Sequence, residues 1–200
     1  PSYESTDLFA ANGGSELVAV RTKSNGDQVY RARYEREFVR YTWVGARTGT
    51  QGHWVAEYPD GPKGYYGADE RNQELPSARA GDQTLGTARY YLVAKVDPFG
   101  NKVRYIWDDL DSNVPLLVGL EWVFLEDQAL YRATLAYDLR PDAVIDSALG
   151  YESALRHRLS GGRIFAGQEL VREVELAYED PSRTLEMTRL QSVRQWGLGG

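Results

Sequence analysis

Asp109, Asp111 and Asn113 alternate within the stretch DDLDSNVPLL, at the 1-3-5 spacing by which side-chain oxygens ligate calcium. A calcium loop of that kind places Gly sixth, for its sharp turn, and a bidentate Glu twelfth; Val114 and Leu120 stand there instead. A solvated turn is the simpler account, and on it Asp109→Asn and Asp111→Asn leave stability almost unchanged. Glu121 and Glu126 are carboxylates of the type a glycoside hydrolase pairs, but nothing in the spacing fixes their separation. His53 and His157 lie far apart with no ligand residues beside them, which gives zinc no support. Trp43, Trp54, Trp107, Trp122 and Trp196, with 14 Tyr, offer rings on which a sugar could stack; at alternating strand positions such rings are more often core or cross-strand pairs. There is no G-x-S-x-G, P-loop or G-x-G-x-x-G sequence. The residues point to no catalytic, cofactor-binding or metal-binding group.

Composition narrows the classes further. A chain of 200 residues, 42% hydrophobic, can bury one core, so a single domain is the default. A net charge of −6 argues against a nucleic-acid surface. No apolar run is long enough to cross a bilayer as a helix, and no charged–apolar–small leader is visible. With no Cys there is neither disulfide nor thiolate chemistry. Pro1 in place of Met and the Gly-rich end suggest an excised fragment.

The elements that must position these residues are strands. Residues 90–108, YYLVAKVDPFGNKVRYIWD, place two β-type runs around Asp97-Pro98-Phe99-Gly100-Asn101. Pro98 presets φ, Gly100 tolerates positive φ, and Asp97 and Asn101 bond back to the local backbone, so an antiparallel hairpin is expected. Tyr105 and Trp107 are expected to be largely buried on one face. A second hairpin is expected through Asn25-Gly26, a third through Pro59-Asp60-Gly61-Pro62, and a fourth joining residues 117–125 to 129–137. Residues 1–16 and 68–88 read as irregular, the latter with at most one helical turn, and 140–150 as an irregular crossover. Further strands are expected over 153–159, 163–165, 169–178 and 186–196, with Ser160-Gly161-Gly162 as a turn. Strand-like runs about ten residues apart, with no sustained helical period, give an all-β antiparallel hairpin meander.

The order Y-L-V-x-K-V-x-D-P-x-G-N-x-V-x-Y-x-W-D resembles the tyrosine–aspartate (YD) repeat of Rhs-type proteins. Tyr91, Asp97, Pro98, Gly100, Asn101, Tyr105 and Asp108 carry that signature, joined downstream by Tyr137, Arg140, Pro141 and Tyr178. The second half, with Arg140-Pro141-Asp142 and LQSVRQWG over 190–197, resembles Rhs-related Tc-toxin B components and the N-terminal region of Salmonella plasmid virulence B-type proteins. Residues 28–66 resemble the upstream part of that region, except that Pro62-Lys63 stand where Gly-Thr is usual. The resemblance implies a segment of a β-shell that encloses a toxic effector. It implies neighbouring shell repeats, the effector and toxin-complex subunits as partners, and a secreted virulence protein as setting.

Two motifs acquire a functional reading only through that resemblance. Asp97-Pro98-Phe99-Gly100 is similar to the D-P-x-G element at which Rhs shells cleave themselves, but a second element and its partner carboxylates are missing, so it reads as a turn. Glu173-x-Glu175 matches the E-x-E pattern of ADP-ribosyltransferases, an activity some proteins with this region carry elsewhere; exposed carboxylates on one strand face are simpler. The expectation is a non-enzymatic scaffold without cofactor. The alternatives are a carbohydrate-binding β-module using exposed Trp and Tyr and, behind it, a carboxylate-pair glycoside hydrolase.

Overall fold

The computed structural model describes residues 8–11, 14–45, 51–82, 84–111, 113–179 and 187–197. Among these there are fifteen strands and one short 3-10 turn, and no α-helix. No helix among the described residues is long and apolar enough to cross a membrane. The chain divides into two compact units, Pro1–Lys102 with Leu149–Tyr151, and Val103–Ala148 with Glu152–Gly200.

In the first unit β1 (Phe9–Ala11), β2 (Ser15–Thr22), β3 (Gln28–Ala32), β4 (Arg40–Val44), β5 (His53–Glu57), β6 (Lys63–Tyr66) and β9 (Leu92–Val96) pair antiparallel in that order. A separate ribbon pairs β7 (Arg79–Asp82) with β8 (Gly86–Tyr90), entered through the 3-10 turn Pro76–Ala78. Thus 68–88 holds a helical turn and also a hairpin that sequence reading missed, and the 1–16 stretch holds β1 and the start of β2. Gly81 explains why this ribbon looked like loop. A side chain there would run into the backbone of Gly86 and Thr87, so the strands close only on glycine, which lacks β propensity.

Four connections in this unit are one turn. In residues 23–27, 58–62, 69–73 and 97–101 the first N–H donates to the fifth carbonyl and the fourth N–H to the first carbonyl. The fourth residue has positive φ each time: Gly26 at 92°, Gly61 at 101°, Asn72 at 62° and Gly100 at 89°. Gly fits that region without a Cβ penalty, and Asn is the tolerated substitute. Asp69 and Asp97 reinforce their turns identically, Oδ1 accepting from the N–H groups two and four residues on. The 69–73 turn also receives β5: His53 Nε2 meets Asn72 Oδ1 at 3.0 Å, and Glu74 accepts from Gly52 N–H at 2.7 Å.

The core of this unit follows from register. Tyr30, Tyr41 and Ala56 stand opposite one another, and Trp43 faces Trp54 directly. Their side chains therefore share a face, joined by Leu17 and Val39 and covered by Phe9, Tyr58, Tyr66 and Tyr90. Phe9 meets Tyr30 and Trp54 edge-on, at 87° and 74°. Burial pushes the Tyr41 phenol up to about 12. The opposite face carries Val29 and Thr42, which are also buried, so this unit buries side chains on both faces of its sheet.

The second unit orders β10 (Lys102–Asp111), β11 (Val114–Leu125), β12 (Gln128–Asp146), β13 (Ser153–Ala166), β14 (Glu169–Tyr178) and β15 (Leu190–Gly197) as a meander. Its strands are longer than expected. β12 continues through Arg140–Pro141–Asp142, and β13 runs unbroken through Ser160–Gly161–Gly162, which is a bulge and not a turn. Tyr105 and Trp107 are only half-buried, because this unit has no second layer of its own among the described residues.

Trp43→Ala is expected to cost about 3–5 kcal/mol in urea unfolding, as for other buried large aromatics. Tyr105→Ala is expected to cost clearly less. Equal losses at the two sites would show that the core is not confined as described.

Candidate functional site

The second unit holds its longest strands together with side chains bonded to backbone. Across the β12–β13 pair the register jumps between Leu139, opposite His157, and Val144, opposite Leu155. That jump takes the Arg156 and His157 N–H groups out of the ladder, and unpaired backbone donors are costly when buried. The carboxylate of Asp111, itself buried, accepts both at 2.9 Å and also contacts His157 Nδ1 at 2.8 Å. Asp111 is therefore a backbone brace and not a solvated loop residue. The expectation of a solvated loop is corrected at Asp111. Asn113 is engaged as well, donating from Nδ2 to the Glu152 carbonyl, and no group of three potential metal-holding side chains occurs among the described residues.

The residues extruded by the same jump form a second brace. Arg140 grips Asp142 with Nε at 3.0 Å and Nη2 at 2.9 Å, and the N–H and hydroxyl of Thr188 donate to the same carboxylate. Those bonds, Arg140 first, hold Asp142 well below the usual carboxylate range. Arg158 reaches Thr188 and lies over the Tyr178 ring at 4.3 Å.

Tyrosine hydroxyls serve two further bulges. Three bulges recur, where Trp107 faces Leu117, Tyr137 faces Leu159 and Tyr178 faces Leu190. Tyr137 donates to the Leu117 carbonyl at 2.7 Å, and Tyr178 to the Leu159 carbonyl at 2.5 Å. Each hydroxyl thus serves the carbonyl of the bulge one repeat earlier. The site residues expected from sequence fall into two groups. Asp97, Pro98, Gly100 and Asn101 build the 97–101 turn, and Gly61 of the 58–62 turn lies so near Pro98 that a Cβ there would sit 2.6 Å from Pro98 Cγ. Tyr137, Arg140 and Tyr178 belong to the braces. Tyr91 hydrogen-bonds through its backbone to Ala78 and Gly67, Tyr105 pairs across to Leu120, Asp108 is exposed opposite Leu116, and Pro141 is exposed.

The candidate chemistry disperses. Glu121 sits in β11 between Arg104 and Arg132, while Glu126 lies in the following turn. Between them the strand breaks from extended geometry at Val123, φ 54°, so the two carboxylates do not share one regular strand face. Glu173 is ion-paired to Arg163 at 2.7 Å. The tryptophans of the first unit meet mostly edge-on or tilted, a packed core and not a platform, whereas Trp122 and Tyr131 lie parallel at 16°. One feature had no sequence signal: an open groove of about 810 Å³ across β12–β15, with Ala136, Gly161, Arg163, Glu173, Glu175 and Trp196 among its lining.

No family model and no curated protein matches the sequence. Solved structures do match the fold. The N-terminal domain of effector protein SpvB from Salmonella typhimurium strain LT2 superposes with a TM-score of 0.80, at 17% identity, over 98% of this chain and 83% of that one. The chain shares its fold with the SpvB domain. TcdB2-TccC3 and TcdB2-TccC3-Cdc42 match at a TM-score of 0.78 and 19% identity over 98% of this chain. The chain spans only 13% and 12% of those longer chains. The all-β antiparallel class and the resemblance in fold to the SpvB and Tc-toxin region therefore stand.

Asp111→Ala removes the one oxygen that accepts from both N–H groups. It is expected to cost about 2–4 kcal/mol in chemical denaturation; a change under about 0.5 kcal/mol would refute the brace. Asp142 has a folded pKa below its unfolded value near 3.9, so its contribution is full above that value and lost as pH falls through the folded one. Comparing urea midpoints at pH 7 and pH 3, Asp142→Asn is expected to show a smaller acid loss than the parent. An unchanged acid loss would remove Asp142 from the account.

Proposed function

We propose that the chain is a non-enzymatic structural segment of a secreted, Rhs/Tc-toxin-like β-shell that encloses a toxic effector and helps deliver it. The observation that carries this reading is the reach of the fold match. It takes in 98% of this chain but only an eighth or so of the TcdB2-TccC3 chains, so the fold occurs as one part of a much larger toxin assembly. The second unit supports it. Its strands are long, their ladder defects are repaired internally, and many large apolar side chains, including Ile106, Val123, Leu125, Leu130 and Tyr131, remain 40% or more exposed. Such a surface fits a segment covered by neighbouring shell repeats and cargo.

On this reading the 200 residues act as a single structural block within a longer product, with the 97–101 hairpin signature and the Tyr137, Arg140, Pro141 and Tyr178 positions as its repeat elements. Toxin-complex subunits and the enclosed effector are its partners. Electron microscopy of the full gene product is expected to show a hollow particle, and limited proteolysis to spare an internal segment until the particle is denatured. A solid or extended particle whose segments are all cut at similar rates would refute enclosure.

A further inference from the structure

We propose that the groove across β12–β15 is a binding site for a neutral oligosaccharide, a role independent of the shell reading. Its shape follows from register. Ala136, Gly161 and Glu175 stand in one cross-strand row, and Thr134, Arg163, Glu173 and Trp196 in the next, so their side chains share one sheet face. The first row begins with almost no side chain. Gly161 is obligatory there, since a Cβ would run into the Val174 carbonyl. The result is a depression with a small-residue floor beside taller groups, about 810 Å³ and within the range of ligand pockets.

The taller groups set the ligand class. Trp196 is 42% exposed, an unusual position for the largest apolar side chain, and it stands directly across from Glu173. Arg163 spends Nε and Nη2 on the single oxygen Oε1 of Glu173, both at 2.7 Å. That leaves Oε2 and Nη1 outside the pair, an acceptor and a donor in fixed relation. Glu175 adds a second carboxylate to the lining. A pyranose matches this set: its C–H face covers an aromatic ring, and its neighbouring hydroxyls both donate and accept. Phosphate or sialic acid would meet a lining whose two carboxylates, Glu173 and Glu175, offset its two arginines, Arg163 and Arg172, leaving no surplus positive charge to hold an anion. An apolar ligand would leave the Arg163–Glu173 pair desolvated without compensation.

The test is an array of neutral and sialylated oligosaccharides probed with the 200-residue protein, followed by calorimetric titration of the neutral glycan that binds best. Trp196→Ala is expected to weaken binding about tenfold, the loss of an aromatic contact of roughly 1.4 kcal/mol. Glu173→Gln is expected to weaken it several-fold, while Trp122→Leu, on the other face, leaves it unchanged. All three variants are checked for parental circular dichroism, and Arg163→Gln replaces Trp196→Ala should that variant not fold. Absence of neutral-glycan binding, binding that requires sialic acid, displacement of the glycan by unrelated peptides, or affinity indifferent to both groove variants would each overturn the proposal.

Discussion

A backbone N–H or carbonyl that loses its ladder partner must find another, and in the second unit that constraint organises everything else. Its strands reach 19 residues, and the register between them shifts repeatedly. Each shift strands polar groups that would otherwise oppose folding. Asp111 takes two such N–H groups, and Tyr137 and Tyr178 each take a carbonyl. The bulges are thereby stable features of the sheet, able to add twist without melting it.

The first unit is held differently. Its strands are short, its turns repeat one hydrogen-bond pattern, and its stability comes from rings packed between Phe9, Tyr30, Trp43 and Trp54. An aromatic core on one side and self-repaired ladders on the other give one chain two means of cohesion. Both units expose large apolar side chains, the second more of them than the first, and that surplus is the physical basis for proposing that the second unit lies against other parts of an assembly.

Local turn chemistry was legible in the sequence, and long-range polar repair was not. Asn25-Gly26 and Asp97-Pro98-Phe99-Gly100 announce their turns because Gly at a fixed offset has a conformational reason. The 69–73 turn was overlooked because Asn72 takes the glycine's place, yet Asp69 shows the same spacing to it as Asp97 shows to Gly100. Ser160-Gly161-Gly162 misled in the opposite direction, since glycines demanded by close strand approach look like turn glycines. Asp111 and His157 are 46 residues apart, and no local pattern distinguishes a buried bracing carboxylate from a solvated one. Trp196 enters the groove only through the β14–β15 register, which no single strand encodes.

Hydrogen exchange on the isolated chain, resolved by strand, tests most directly the claim that the two units cohere by different means. The slowest amides are expected in β3–β5, with ladder amides of β12–β14 exchanging at least ~100-fold faster because no apolar layer of their own locks them. Protection in β12–β14 equal to that in β3–β5 would contradict the account, showing that the second unit is as complete by itself as the first.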